Sequence, residues 1–217
     1  MLEPAVTLTN FILVAECWAF AYVLGRADDP SRLLRWFALL FAALGLGALL
    51  GGLTHGFVPE TQVLANRLVW SGNMLALGLA GATTGVIAAR IALSAASQAW
   101  VGRAILALLL AYAAAVIFVT QDFLLALAAA VPPVLLLILA LLGLMRRAPR
   151  PGLGLVVLGL GLNLMAGVQQ QLQIGIDPVW CNHNALFHVI EMLAFWLIYR
   201  GSRAVAAAIQ AQPSSRA

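Results

Sequence analysis

The chain carries three histidines, His55, His183 and His188, and two carboxylates, Glu16 and Glu191, that fall inside long apolar segments. Imidazole is a usual ligand for zinc, and three protein ligands plus a water make a catalytic centre. Water bound there ionises near neutral pH and becomes a nucleophile. His188 and Glu191 stand at spacing i, i+3 and so share a helix face. Counted at 1.5 Å per residue, Glu16 lies roughly 16 Å and Glu191 roughly 14 Å into their segments, at similar depth. Ionisable groups at such depth are costly and are usually kept for function. Asn66, Asn73 and Asn184 add polar groups near the same end of the molecule, as do Asn163 and the run Gln169, Gln170, Gln171. A polar cavity among helices one, two, three, six and seven is therefore expected, with His55, His183 and His188 as candidate metal ligands. The plainer alternatives are hydrogen-bonded histidines at a lipid interface, a structural Glu16–Glu191 pair, and glutamines acting as packing contacts.

The elements that position these groups follow from composition. Of 217 residues, 63% are hydrophobic and 9% charged. Ordinary soluble domains are about a quarter charged, so a soluble enzyme, a disordered chain and a nucleic-acid-binding module are excluded. About 20 mainly apolar residues span a bilayer as a helix. Seven segments qualify, near 5–25, 35–57, 63–89, 99–119, 123–145, 152–174 and 182–200. The fold expected is an all-α bundle of seven transmembrane helices. Residues 1–207 form one domain in this reading, and 208–217 a disordered cytoplasmic tail. No basic stretch precedes the first segment, which is expected to be a retained helix rather than a signal peptide.

The net charge of +4 comes from twelve arginines, and no lysine is present. All but Arg67 fall at the same side of the seven spans. By the positive-inside rule the N-terminus is outside and the C-terminus cytoplasmic. The Arg-only basic set, with abundant Ala and Leu, suggests a bacterial inner membrane. Pro132 and Pro133 are expected to kink the fifth helix. Gly47 and Gly51, Gly52 and Gly56, and Gly81 and Gly85 are pairs that allow close helix approach. Cys17 and Cys181 are not expected to form a disulfide.

The stretch Cys181-Asn182-His183-Asn184-Ala185-Leu186-Phe187-His188-Val189-Ile190-Glu191, continuing to Arg200-Gly201, resembles the last helix of the CREST superfamily, which includes alkaline ceramidases and adiponectin-receptor-like proteins. The resemblance implies a seven-helix membrane hydrolase with zinc held by one His at the end of helix two and two in a His-xxx-His motif on helix seven. His55 matches the first of these and His188 the last. The remaining family His falls on Asn184, with His183 one residue earlier. The family Ser falls on Gly51 and the family Asp on Asn66, or on Asn73. Neither replacement can act as a carboxylate base, so Glu16 or Glu191 would take the general-base role. The functional expectation is a zinc-dependent hydrolase of a membrane lipid amide or ester, and the alternative is a non-enzymatic lipid-binding or receptor-like protein on the same fold. Residues 183 and 188 lie about 140° apart on a regular helix. They converge only if His183 precedes the regular helix, with Asn182 or Asn184 as its cap.

Overall fold

The computed structural model describes residues 3–58 and 61–211. It has seven helices in chain order: α1 (Pro4–Gly25), α2 (Leu33–Phe57), α3 (Val63–Ala92), α4 (Ala95–Phe118), α5 (Phe123–Arg147), α6 (Leu153–Gln171) and α7 (His183–Gln210). Each is long and apolar enough to cross a membrane. The chain is an all-α, multi-pass membrane protein, with no strand among the described residues beyond an isolated bridge between Asp177 and Cys181. Cys17 and Cys181 are both free.

Local chemistry sets the helix boundaries. Pro4 opens α1, where its missing N–H costs nothing. The side chains of Ser94, Asp122 and Asn182 accept from backbone N–H groups at the starts of α4, α5 and α7. Gly152 takes φ +98° at the start of α6, a conformation that favours glycine. Helix α6 stops at Gln171, three residues before its expected end, because the Gln169 amide turns onto the Ile174 carbonyl and Gln173 adopts φ 53°. Helix α7 runs on to Gln210, past the expected domain end at Ala207; residues 212–217 of the expected tail lie outside the described residues.

The helices pack mostly in sequence order, α1 on α2, α2 on α3, α3 on α4 and α5, α5 on α6 and α6 on α7, and α7 returns to α1. The main core runs through Leu13, Phe37, Phe41, Leu137, Leu141 and Ile198. Phe20 stacks on Tyr199 at 4.1 Å between ring centres, which fixes α1 against α7. Close backbone approach depends on missing side chains. A Cβ on Gly159 would lie 2.6 Å from the Ala194 carbonyl oxygen, and one on Gly201 2.6 Å from that of Gly152. Pro132 and Pro133 sit inside an unbroken α5. Pro133 leaves the Ala129 carbonyl without its usual donor, and α3 comes close there because Gly81 has no side chain: a Cβ would lie 3.1 Å from that oxygen.

At the end of the bundle opposite the histidines, the buried Asp29 organises the α1–α2 connection. Its carboxylate accepts from the Ser31 N–H at 3.0 Å, the Ser31 hydroxyl at 2.6 Å, the Leu34 N–H at 2.7 Å and the Gln210 amide at 2.8 Å. Burial alone would raise its pKa, but the bonds from Ser31, Leu34 and Gln210 outweigh it and hold the group below the ordinary 3.8. The folded form therefore releases the proton more readily than the unfolded chain. The stabilisation is full above the unfolded value and is lost as pH falls through the lower folded one. Thermal unfolding in detergent from about pH 6 to about pH 3 is expected to show Asp29→Asn below wild type at the upper end and the gap closing at the lower. A gap that persists in acid would contradict the assignment.

Candidate functional site

A cavity of about 330 Å³ opens between α1, α2, α3, α5, α6 and α7. Its walls follow α2 from His55 to Leu40 and α7 from His183 to Ile198, roughly 20 Å at 1.5 Å per residue. Polar groups gather at one end: Asn10, His55, Asn73, His183, Asn184 and His188. Glu191 lies just under one turn beyond His188, and Asn163 two turns along α6 from Gln170, which also lines the polar end. Beyond them the walls are mostly apolar, formed by Leu40, Leu44, Ala80, Val134, Phe195 and Ile198, with Thr84 among them donating its hydroxyl to the Ala80 carbonyl at 2.9 Å.

Helix α1 holds two of the histidines in place. The Glu3 N–H donates to the His55 carbonyl at 3.0 Å, and the His55 Nδ1–H donates to the Glu3 carboxylate at 2.9 Å. Thr9 Oγ1 lies 2.9 Å from His188 Nδ1. The Thr9 hydroxyl proton is already directed at the Ala5 and Val6 carbonyls, each at 3.0 Å. With its proton on a carbonyl, the hydroxyl oxygen can accept from His188 Nδ1–H. Nδ1 of both rings is thus engaged in this network, which leaves Nε2 of each for other use.

His183 is placed differently. Asn182 caps α7 by accepting from the Ala185 N–H at 2.9 Å, and His183 is the first residue inside the helix. It lines the cavity, but it does not precede the regular helix as convergence with His188 requires. Among the described residues no three His, Cys, Asp or Glu side chains gather into a group able to hold a metal ion. The described residues as placed do not fit a three-histidine zinc centre.

The two carboxylates part company. Glu191 lines the cavity, and the Asn163 amide donates to its Oε1 at 3.3 Å. Glu16 does not line it. The α1 residues that do are Asn10 and Leu13, and six residues along a helix turns a side chain about 120° away from Asn10. Its Oε2 is buried without a hydrogen-bond partner.

The asparagines also divide. Asn73 is buried in the cavity wall, where Gly47 and Gly51 make room for it: a Cβ on Gly51 would lie 3.2 Å from Asn10 Oδ1 and 3.7 Å from Asn73 Nδ2. Glycine at that position therefore admits two amides. Asn184 lines the cavity and accepts from the Gln170 amide at 3.4 Å. Asn66 lies elsewhere, donating to the Val58 carbonyl at 3.1 Å across the α2–α3 connection. The glutamine run binds α6 to α7: Gln169 also donates to the His183 carbonyl at 3.1 Å. Sequence reasoning passed over Glu3, Thr9, Asn10 and the whole α5 wall. The cluster Thr7, Thr9, Asn10 inside an apolar span was the available signal for α1; the α5 wall, with Phe123, Leu127 and Ala130, offers none because its residues are apolar.

A family model described as a family of unknown function, DUF6962, matches residues 5–207. That range covers nearly the whole chain, which belongs to this family. No protein in the curated set and no solved structure matches it.

Proposed function

We propose that this DUF6962 protein binds a membrane lipid by drawing one acyl chain into the cavity, with the headgroup among His55, Asn73, Asn184 and His188. One observation carries the reading: an elongated cavity with polar groups gathered at one end and mostly apolar walls along the rest. Its volume of about 330 Å³ falls in the range of small-molecule sites, which are mostly apolar with a few convergent polar groups. With the N-terminus outside and the C-terminus cytoplasmic, as the arginines indicate, the headgroup end faces the outer leaflet of a bacterial inner membrane. The Nε2 atoms of His55 and His188 and the amides of the asparagines suit hydroxyl, amide or ester groups of the lipid. The test is titration of a dansyl-labelled fatty acid into detergent-purified protein. The expected result is saturable binding of one probe per chain, displaced by unlabelled long-chain lipid. A signal that only follows the probe's partition into detergent would remove the proposal.

A second reading, the CREST-like lipid hydrolase, is favoured by the two Nε2 atoms left open by Glu3 and Thr9, since second-shell partners of this kind orient metal-bound histidines. It lacks a third ligand beside those rings. Elemental analysis of wild type beside His188→Ala decides it. Near-stoichiometric zinc, lost in the variant, would establish a metal site and call for a lipid amide and ester screen; zinc-free protein after zinc supplementation leaves the binding reading alone.

A further inference from the structure

At the opposite end of the bundle, a second recess of about 380 Å³ lies between the end of α1, the connection to α2 and the last turns of α7. Arg26, Asp28, Asp29 and Arg203 line it, together with apolar side chains that include Val23, Leu34 and Ala206. The Asp29 carboxylate is occupied by Ser31, Leu34 and Gln210. Among the described residues neither guanidinium is paired with a carboxylate, Asp28 included. Arg26 is held in position by stacking over the Tyr22 ring at 4.4 Å.

Two guanidinium groups without a carboxylate partner, with Asp28 beside them and apolar side chains next to them, describe an amphipathic anion site, and its height specifies the anion. Arg26 lies 22 residues beyond Pro4 and Arg203 lies 20 beyond His183, so both stand roughly 30 Å along the bundle from its other end. That is about one hydrocarbon thickness, which puts both guanidinium groups at the level of lipid phosphates. We propose that this recess binds the phosphodiester of a phospholipid headgroup, with Arg26 and Arg203 on the phosphate and the acyl chains passing Val23 and Leu34. Guanidinium groups match phosphate geometry with paired donors, and basic pockets between spanning helices are recurrent headgroup sites. The site is independent of the central cavity.

The experiment is thermal unfolding of the full chain in an uncharged detergent with added phosphatidylglycerol, diacylglycerol with the same chains, or inorganic phosphate. Phosphatidylglycerol is expected to raise the midpoint saturably, and the other two not. The double variant Arg26→Gln, Arg203→Gln should need about tenfold more phosphatidylglycerol for the same rise, because two charge-assisted contacts are lost. Arg203→Gln alone should show part of that shift, which covers the case of a poorly folded double variant. An equal rise with diacylglycerol, or an unchanged titration in both variants, overturns the proposal. The same rise with inorganic phosphate alone would make the site one for a free anion and overturn the lipid assignment.

Discussion

Gly159→Leu is expected to destabilise the bundle by about 3 kcal/mol or more, the upper range for overpacking a well-filled interface. Gly159 is buried on α6 against α7, where an added Cβ would lie 2.6 Å from the Ala194 carbonyl oxygen and 3.2 Å from the Ile198 nitrogen. Backbone atoms cannot rotate away, so the helices must separate. In lipid the cost is sharp, because close van der Waals packing is the main force between spanning helices. The displacement also reaches the cavity. Asn163 follows Gly159 by one turn, and its 3.3 Å bond to Glu191 needs α6 and α7 at their present separation. Gly161→Leu is the control: no atom lies within 4 Å of a Cβ there, and a change of no more than about 0.5 kcal/mol is expected. Chemical unfolding of both variants in detergent measures the difference. Similar stabilities for the two would mean that α6 and α7 are not packed as described.

The helices were legible because bilayer thickness imposes a length on apolar runs, and seven runs of that length are present. Their far ends were less so. Past Arg200 the apolar run is broken by Arg203 and Gln210, although Gly201, Ser202, Val205, Ala206 and Ala208 are buried on one side of the continuing helix. A span rule sees the charge and stops, whereas the helix is held by packing and by the Gln210–Asp29 bond. At the site, His55, Asn73, Asn184, His188 and Glu191 stood out as polar residues in apolar helices. Which of the polar residues face inward was not legible. Helices α1 and α3 carry apolar side chains all round, so no stripe tells how each is turned, and Glu16 and Asn66 were grouped with the cavity on depth alone. Depth comes from counting residues, but direction comes from the rotation of each helix against its neighbours. The same gap explains His183: five residues from His188 fixes an angle of about 140°, and only the Asn182 cap shows that the helix already includes it.

Gly167→Phe is expected to weaken binding of the dansyl-labelled fatty acid at least about tenfold while leaving the fold intact. Gly167 lines the cavity from α6, and a Cβ there would meet only Leu127 Cδ2, at 3.7 Å, an ordinary contact. The benzyl group therefore enters open space rather than a packed neighbour, at a level between Asn163 and Gln170 that an acyl chain must pass to reach the apolar walls. A ring placed beside Leu127 adds contacts, so the thermal midpoint should hold or rise even as the probe is excluded. This pairing of unchanged stability with lost binding separates a blocked cavity from a damaged protein. Gly167→Ala adds a single methyl within van der Waals contact and should bind the probe nearly as wild type does. Equal probe affinity in wild type and Gly167→Phe would place the probe outside the cavity and remove the acyl-chain reading, since no chain could share that space with the ring.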